Sequence, residues 1–206
     1  MNKKNKYDAD DPLFDQRRGV LKNKLGITDN EKLQDIEAQH LVEAYEQAAL
    51  AYSERHVFAE QDIRYLHKLF LGQIYDWAGN YRSVDLSSED IRYCHAAFIT
   101  QNMQKFSDEL SNMTPFQADF SKQEIVSRLA KIHGELIIIH PFRDGNGRTT
   151  RLLCDLLLMQ AEYNPVDAEP FYNEEFIKKY HSAIQTLWHT NDHAPLFNLF
   201  EPMVSK

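Results

Sequence analysis

The stretch that most constrains folding runs from Ser121 to Gln160, "SKQEIVSRLAKIHGELIIIHPFRDGNGRTTRLLCDLLLMQ". Ser121 with Glu124 three residues on is a capping box, and Ile125, Leu129, Ile132 and Leu136 follow at helical spacing. Pro141 stops that helix, because proline cannot donate to the helical ladder. A second helix restarts after Asn146 through "RTTRLLCDLLLMQAEY", where the run of leucines is a core helix. Between the two lies a short polar loop holding two glycines and three arginines within "HPFRDGNGRTTR". An ordinary turn requires no such set.

The rest of the chain is also predicted to be helical. Thr28 is a candidate cap for a helix placing Leu33, Ile36, Leu41, Ala48 and Tyr52 near one face. "AEQDIRYLHKLFLGQIYDW" carries Ile63, Leu66, Phe70 and Ile74, and "FITQNMQKFSDELSNM" carries Ile99, Met103, Phe106 and Leu110. "NEEFIKKYHSAIQTLWH" adds Phe176, Tyr180, Ile184 and Leu187. "NYRSVDLSSEDIRYCHAAF" alternates instead, and predicts a small hairpin around Ser87–Asp90. The expected fold is all-α, a helical bundle with a β-hairpin flap between the second and third helices. Residues 1–15 are expected to be an N-terminal arm and 16–206 the domain, with seven glycines and seven prolines in 206 residues suiting a mostly helical chain.

Composition removes several classes. A net charge of −8 argues against broad binding to nucleic-acid backbones. Two cysteines, Cys94 and Cys154, are too few for a disulfide framework or a four-ligand zinc site and read as packing residues in a reduced, cytoplasmic protein. No apolar run is long enough to cross a bilayer, and the start lacks the apolar middle of a signal peptide. His189 and His193, four apart, lack a third metal ligand and read as solvated, with Asn191 and Pro195 suggesting a loop. His133 reads as a packed helix residue.

The loop has the parts of a phosphoryl- or nucleotidyl-transfer site. Its second half is a helix N-terminus, whose free N–H groups attract anions. Gly145 and Gly147 let a phosphate approach the backbone. Arg148 and Arg151, three apart, share a face and can grip phosphate oxygens. Asp144 suits a magnesium ion beside those phosphates, and His140, held at the loop entrance by Pro141, suits a general base. Phe142 plugs the loop into the core. Arg143 is the least determined position and reads as solvated.

These residues resemble the Fic motif, His-Pro-Phe-x-Asp/Glu-Gly-Asn-Gly-Arg-x-x-Arg, at every specified position. "IYDWAGNYRSVDLS" is similar to the segment leading into the Fic flap, and "VLKNKLGITDNEKLQDIEAQ" to the N-terminal part of small bacterial Fic toxins. The resemblance implies six to eight helices and transfer of AMP from ATP to a protein hydroxyl. It makes His140 the base, Asp144 the Mg²⁺ ligand, and Phe142, Gly145, Asn146, Gly147, Arg148 and Arg151 the nucleotide-binding set, with Gly145–Gly147 as the anion hole and the arginines on the β- and γ-phosphates. It implies a target protein held by the flap at about 82–93 as an added strand, with a type II topoisomerase as the candidate. The family's inhibitory signature, Ser or Thr followed four positions on by Glu, is absent. Either a separate small antitoxin supplies that glutamate to Arg151 or the enzyme is unrestrained, and the resemblance to toxins favours the antitoxin. A nucleotide-binding module without turnover, or transfer of UMP or phosphocholine, are the alternatives.

Overall fold

The computed structural model describes residues 11–88 and 91–206. A two-stranded antiparallel ladder comes first, β1 (Phe14–Asp15) with β2 (Val20–Leu21), pairing Phe14 with Leu21. Helices α1 (Asn30–Ala51), α2 (Glu60–Leu71), α3 (Ile99–Met113), α4 (Lys122–Ile139), α5 (Asn146–Gln160), α6 (Glu174–Thr190) and α7 (Ala194–Phe200) follow. The expected all-α fold is present. Residues 1–10 of the expected arm lie outside the described residues, while Asp11 is buried and Phe14–Asp15 form β1.

α4 and α5 form the centre. Eleven of the fifteen residues of α5 are buried, including Leu152, Leu153, Leu156, Leu157 and Leu158, so it is covered on all sides. α4 packs on α3, α5, α6 and α7, while α1 and α2 cover α5 from another side. Gly134 permits the close approach of α4 to α6 and α7. A Cβ there would lie 2.4 Å from Leu187 Cδ2 and 2.8 Å from Leu196 Cδ1.

Local chemistry sets the helix ends. α1 is capped one residue later than expected, by Asp29 rather than Thr28. The Asp29 carboxylate accepts from the N–H groups of Glu31 (2.9 Å) and Lys32 (3.1 Å). α4 starts where expected, with Ser121 Oγ accepting from Glu124 N–H at 3.2 Å. α7 replaces the expected loop, because Pro195 stands in its first turn, where a missing N–H costs nothing.

The flap is narrower than a ladder. Ser87 and Arg92 form an isolated antiparallel bridge, Ser88 N–H donates to Ile91 O (2.9 Å), and Tyr93 N–H donates to Leu86 O (3.2 Å). Of the expected turn, Glu89 and Asp90 lie outside the described residues. Leu86 and Ile91 are buried and anchor the flap on the domain.

Candidate active site

α4 ends on His140, whose backbone is left-handed at φ 50° and ψ 58°. Proline at the next position disfavours the right-handed helical region for His140, and a non-glycine residue in the left-handed region is strained. His140 Nδ1 lies 3.1 Å from Ile137 O. A carbonyl oxygen only accepts, so in the neutral ring Nδ1 carries the hydrogen and Nε2 the lone pair. The Tyr93 ring of the flap stacks on the imidazole, centroids 3.7 Å apart and planes at 21°.

Arg82, buried at the start of the flap, fixes that arrangement. Its Nε donates to His140 O (2.8 Å), its Nη1 to Val84 O (2.7 Å) and its Nη2 to Cys94 O, while its own N–H donates to Pro141 O (2.9 Å). One guanidinium thus ties both flap edges to the end of α4.

The loop after His140 is held shut by Asn146. Its Oδ1 accepts from Phe142 N–H and its Nδ2 donates to Phe142 O, both at 2.8 Å. Phe142 is buried and stacks on His67, centroids 3.8 Å apart. His67 Nδ1 accepts from Gly79 N–H (2.8 Å), so Nε2 donates to Asp144 O (2.9 Å). Burial pushes the His67 pKa down to about 4, so the ring stays neutral and keeps both bonds. Gly145 has φ 79°, and a Cβ there would lie 2.7 Å from Leu71 Cδ1, so glycine is required on both counts. Helix α5 then begins, with the N–H groups of its first turn lacking helical partners.

Two cavities meet at this helix end. The larger, about 810 Å³, is lined by Glu37, Tyr75, Asp144, Gly145, Gly147 and Arg148 among others. The smaller, about 300 Å³, is lined by His140, Tyr93, Phe171 and Tyr180 among others. Gly147, Arg151 and Tyr172 line both. The structure therefore brings His140, Asp144, Gly145, Gly147, Arg148 and Arg151 to two neighbouring cavities at the start of α5, with Gly147 and Arg151 on both. The side chains of Phe142 and Asn146 line neither cavity; they shape the loop from behind.

The charged groups fall into two kinds. Arg151 forms no ion pair among the described residues, and its guanidinium sits 4.9 Å from the Phe171 ring centroid. Arg148 is bracketed: Nη1 donates to Glu37 Oε2 (2.6 Å), Nη2 lies 3.9 Å from Asp144 Oδ1, and Cζ lies 4.8 Å from the Phe70 ring centroid. Burial opposes its charge, but Asp144 and Glu37 outweigh burial and raise its pKa. Arg143, read from sequence as solvated, is instead buried in an ion pair with Asp11. Sequence spacing gave no hint of a partner 132 residues away.

The Asp144 Oδ1 accepts from Gly145 N–H at 2.7 Å, and the carboxylate borders the larger cavity. No group of three or more His, Cys, Asp or Glu residues among the described residues could hold a metal ion. A single carboxylate fits magnesium that arrives with nucleotide phosphates, since that ion keeps water and phosphate oxygens as most of its ligands.

Sequence reasoning missed Glu37, Tyr75, Arg82 and Tyr93. Glu37 did leave a signal. It occupies the stripe of Leu33, Leu41, Ala44 and Ala48 on α1, where the spacing demands an apolar residue, and it is buried.

Comparison with known proteins bears on the family and the fold. The Fic/DOC family profile matches residues 57–158. The chain is 30% identical over 158 residues to the probable protein adenylyltransferase Fic of Salmonella typhimurium, covering 74% of each chain. It is 30% identical over 161 residues to the protein adenylyltransferase VbhT of Bartonella schoenbuchensis, covering 77% of this chain but 33% of that one. The N-terminal Fic domain of a putative cell filamentation protein from Bartonella quintana superposes with a TM-score of 0.76 at 23% identity, covering 94% of this chain and 91% of that one. The BepC protein of Bartonella tribocorum, with bound AMPPNP, gives 0.74 at 21% identity, covering 93% and 95%. The fold and the cleft define a helical domain of the Fic class. The chain belongs to the Fic/DOC family.

Proposed function

We propose that this chain is a protein adenylyltransferase, moving AMP from ATP to a hydroxyl side chain of a target protein. One observation carries the reading. His140, with its Nε2 lone pair defined by the Nδ1 bond to Ile137 O, lines the same cavity as Gly147 and Arg151 at the start of α5. A proton acceptor and an anion-binding helix end then address one bound molecule. The Fic relatives named protein adenylyltransferases support the same chemistry.

In the proposed reaction the target hydroxyl gives its proton to His140 Nε2 as its oxygen bonds to the α-phosphorus. The bond from that phosphorus to the bridging oxygen breaks, and pyrophosphate leaves. The N–H groups of Asn146 and Gly147 at the helix end stabilise the charge on phosphate, and Arg148 and Arg151 hold the β- and γ-phosphates. Phe142 and Asn146 keep the loop in shape. Asp144 would hold Mg²⁺, which neutralises phosphate charge when bound. The nucleoside fits the smaller cavity, whose aromatic lining of Tyr93, Phe171 and Tyr180 suits a base.

Partners follow from the same site. The target lies along the flap at about 82–93, its backbone adding to the flap edge; a type II topoisomerase is the candidate. The larger cavity, with Arg151 lacking an ion pair among the described residues, has room for a partner's inhibitory glutamate, so we assign the chain as the toxin of a toxin–antitoxin pair acting in the cytoplasm. No helix among the described residues is long and apolar enough to cross a membrane.

The test is incubation with a cell lysate and ATP labelled at either the α- or the γ-phosphate. Label entering protein from the α position alone is expected. Label from the γ position would indicate phosphorylation, and no label from ATP with label from UTP or a choline donor would indicate another transferred group. Label from none would leave a binding module.

A further inference from the structure

We infer that Glu37 is a positioning residue for the phosphate-gripping Arg148, and that Tyr75 sets Glu37 in turn. The inference rests on the reading of the cleft as a nucleotide site. It assigns a role to two residues outside the motif, on α1 and on the turn after α2.

The three side chains form a relay from wall to cleft. Tyr75 is 2% exposed, the Glu37 side chain 8% and the Arg148 side chain 26%. Glu37 is thus the more enclosed partner of the pair, at the wall of the larger cavity that Arg148 also lines. Tyr75 Oη donates to Glu37 Oε1 at 2.5 Å, and Arg148 Nη1 donates to Glu37 Oε2 at 2.6 Å. Both carboxylate oxygens are therefore engaged, each by a different donor. Phe70 supports the guanidinium at Cζ, 4.8 Å from its ring centroid. The Nη2 edge is left toward Asp144, at 3.9 Å, where a metal-bound phosphate would sit. An arginine side chain otherwise loses much rotamer freedom when it binds a phosphate. Here that freedom is already removed, so the guanidinium is oriented before ligand arrives.

A buried carboxylate is costly unless it is paired and hydrogen-bonded. Its position in the apolar stripe of α1 adds nothing to packing that a leucine would not supply. The carboxylate is thus explained by the arginine it holds. Burial, and then Glu37, raise the Tyr75 pKa, so the phenol stays protonated and remains the donor.

Glu37→Asp and Tyr75→Phe test this in a chain also carrying His140→Ala, so that binding is read without turnover. Glu37→Asp keeps the charge but shortens the arm by one methylene, and cannot reach Tyr75 and Arg148 together. Affinities for Mg-ATP and AMP are measured by calorimetry. Glu37→Asp should weaken ATP by about tenfold and leave AMP within about twofold, because AMP lacks the phosphates that Arg148 grips. Tyr75→Phe should move the same ratio in the same direction by a few-fold, and it serves alone where Glu37→Asp does not fold. An unchanged ATP-to-AMP ratio in the folded variants, or tighter ATP binding, would overturn the inference: the first makes Glu37 merely structural, the second makes it a competitor of phosphate. If the His140→Ala parent binds no ATP, the nucleotide reading of the cleft fails, and the inference with it.

Discussion

Arg143 shows what one residue can do that its neighbours in sequence do not announce. Between Phe142 and Asp144 it is spaced like a surface loop residue, yet it is buried against Asp11. The pair pins Asp11, three residues before β1, to the loop between α4 and α5. Breaking a buried ion pair by removing one partner costs about 3–5 kcal/mol, whereas replacing both by apolar groups of similar volume is often nearly neutral. Asp11→Asn should therefore lower the urea midpoint strongly, and Asp11→Leu with Arg143→Met should recover most of it. A single variant as stable as wild type would show that the Asp11 pairing adds nothing to the stability of the fold. Parts of the motif were legible because their chemistry is local, a glycine for φ 79° at Gly145 and a proline to end α4; the closing of Asn146 on Phe142 was not among them. The Asp11, Glu37 and Tyr75 partners were not, because their meaning depends on which distant element folds against them.

At the scale of elements, the flap depends on Arg82 more than on its own ladder. A single bridge is too little backbone pairing to order a hairpin. The guanidinium bonds to His140, Val84 and Cys94 carbonyls supply the connection. Arg82→Lys keeps the charge and loses the fork, so amide exchange of the described flap residues 83–88 and 91–93 should speed up by about tenfold or more while α4 and α5 stay protected. Unchanged exchange in the flap would show that Leu86 and Ile91 alone hold it. Helices were readable where a one-sided apolar stripe met a clear stop, as in α3 and α4. α7 was not, since Pro195 in its first turn looks in sequence like the end of a helix rather than its beginning.

For the whole molecule, the buried centre carries a pH signature. His133 on α4 is fully enclosed, with Nε2 2.8 Å from Tyr180 Oη and Nδ1 3.9 Å from Cys154 Sγ. Burial, and then the charge of Arg151, push its pKa down from 6.5 to about 3. The unfolded chain takes up that proton below about pH 6.5 and the folded chain does not, so stability is lost as pH falls through that range. Between about pH 6 and 4 the histidine contributes a slope of about 1.4 kcal/mol per pH unit. His133→Gln should flatten the unfolding free energy against pH by that amount, whatever its effect on stability at neutral pH; identical slopes would contradict the assignment. The helical class was legible in the whole chain because the 3.6-residue period recurs throughout. The convergence of α1, the flap and the segment before α6 on one cleft was not, because it is a property of packing.

In the proposed reaction His140 takes the proton of a hydroxyl attacking a nucleotide gripped by the start of α5. Single-turnover transfer from α-labelled ATP by His140→Ala, beside the ATP affinity of the same variant, tests it most directly. The rate should fall by about 10²–10⁴ while affinity stays within a few-fold of wild type. Transfer at the wild-type rate by His140→Ala would contradict it.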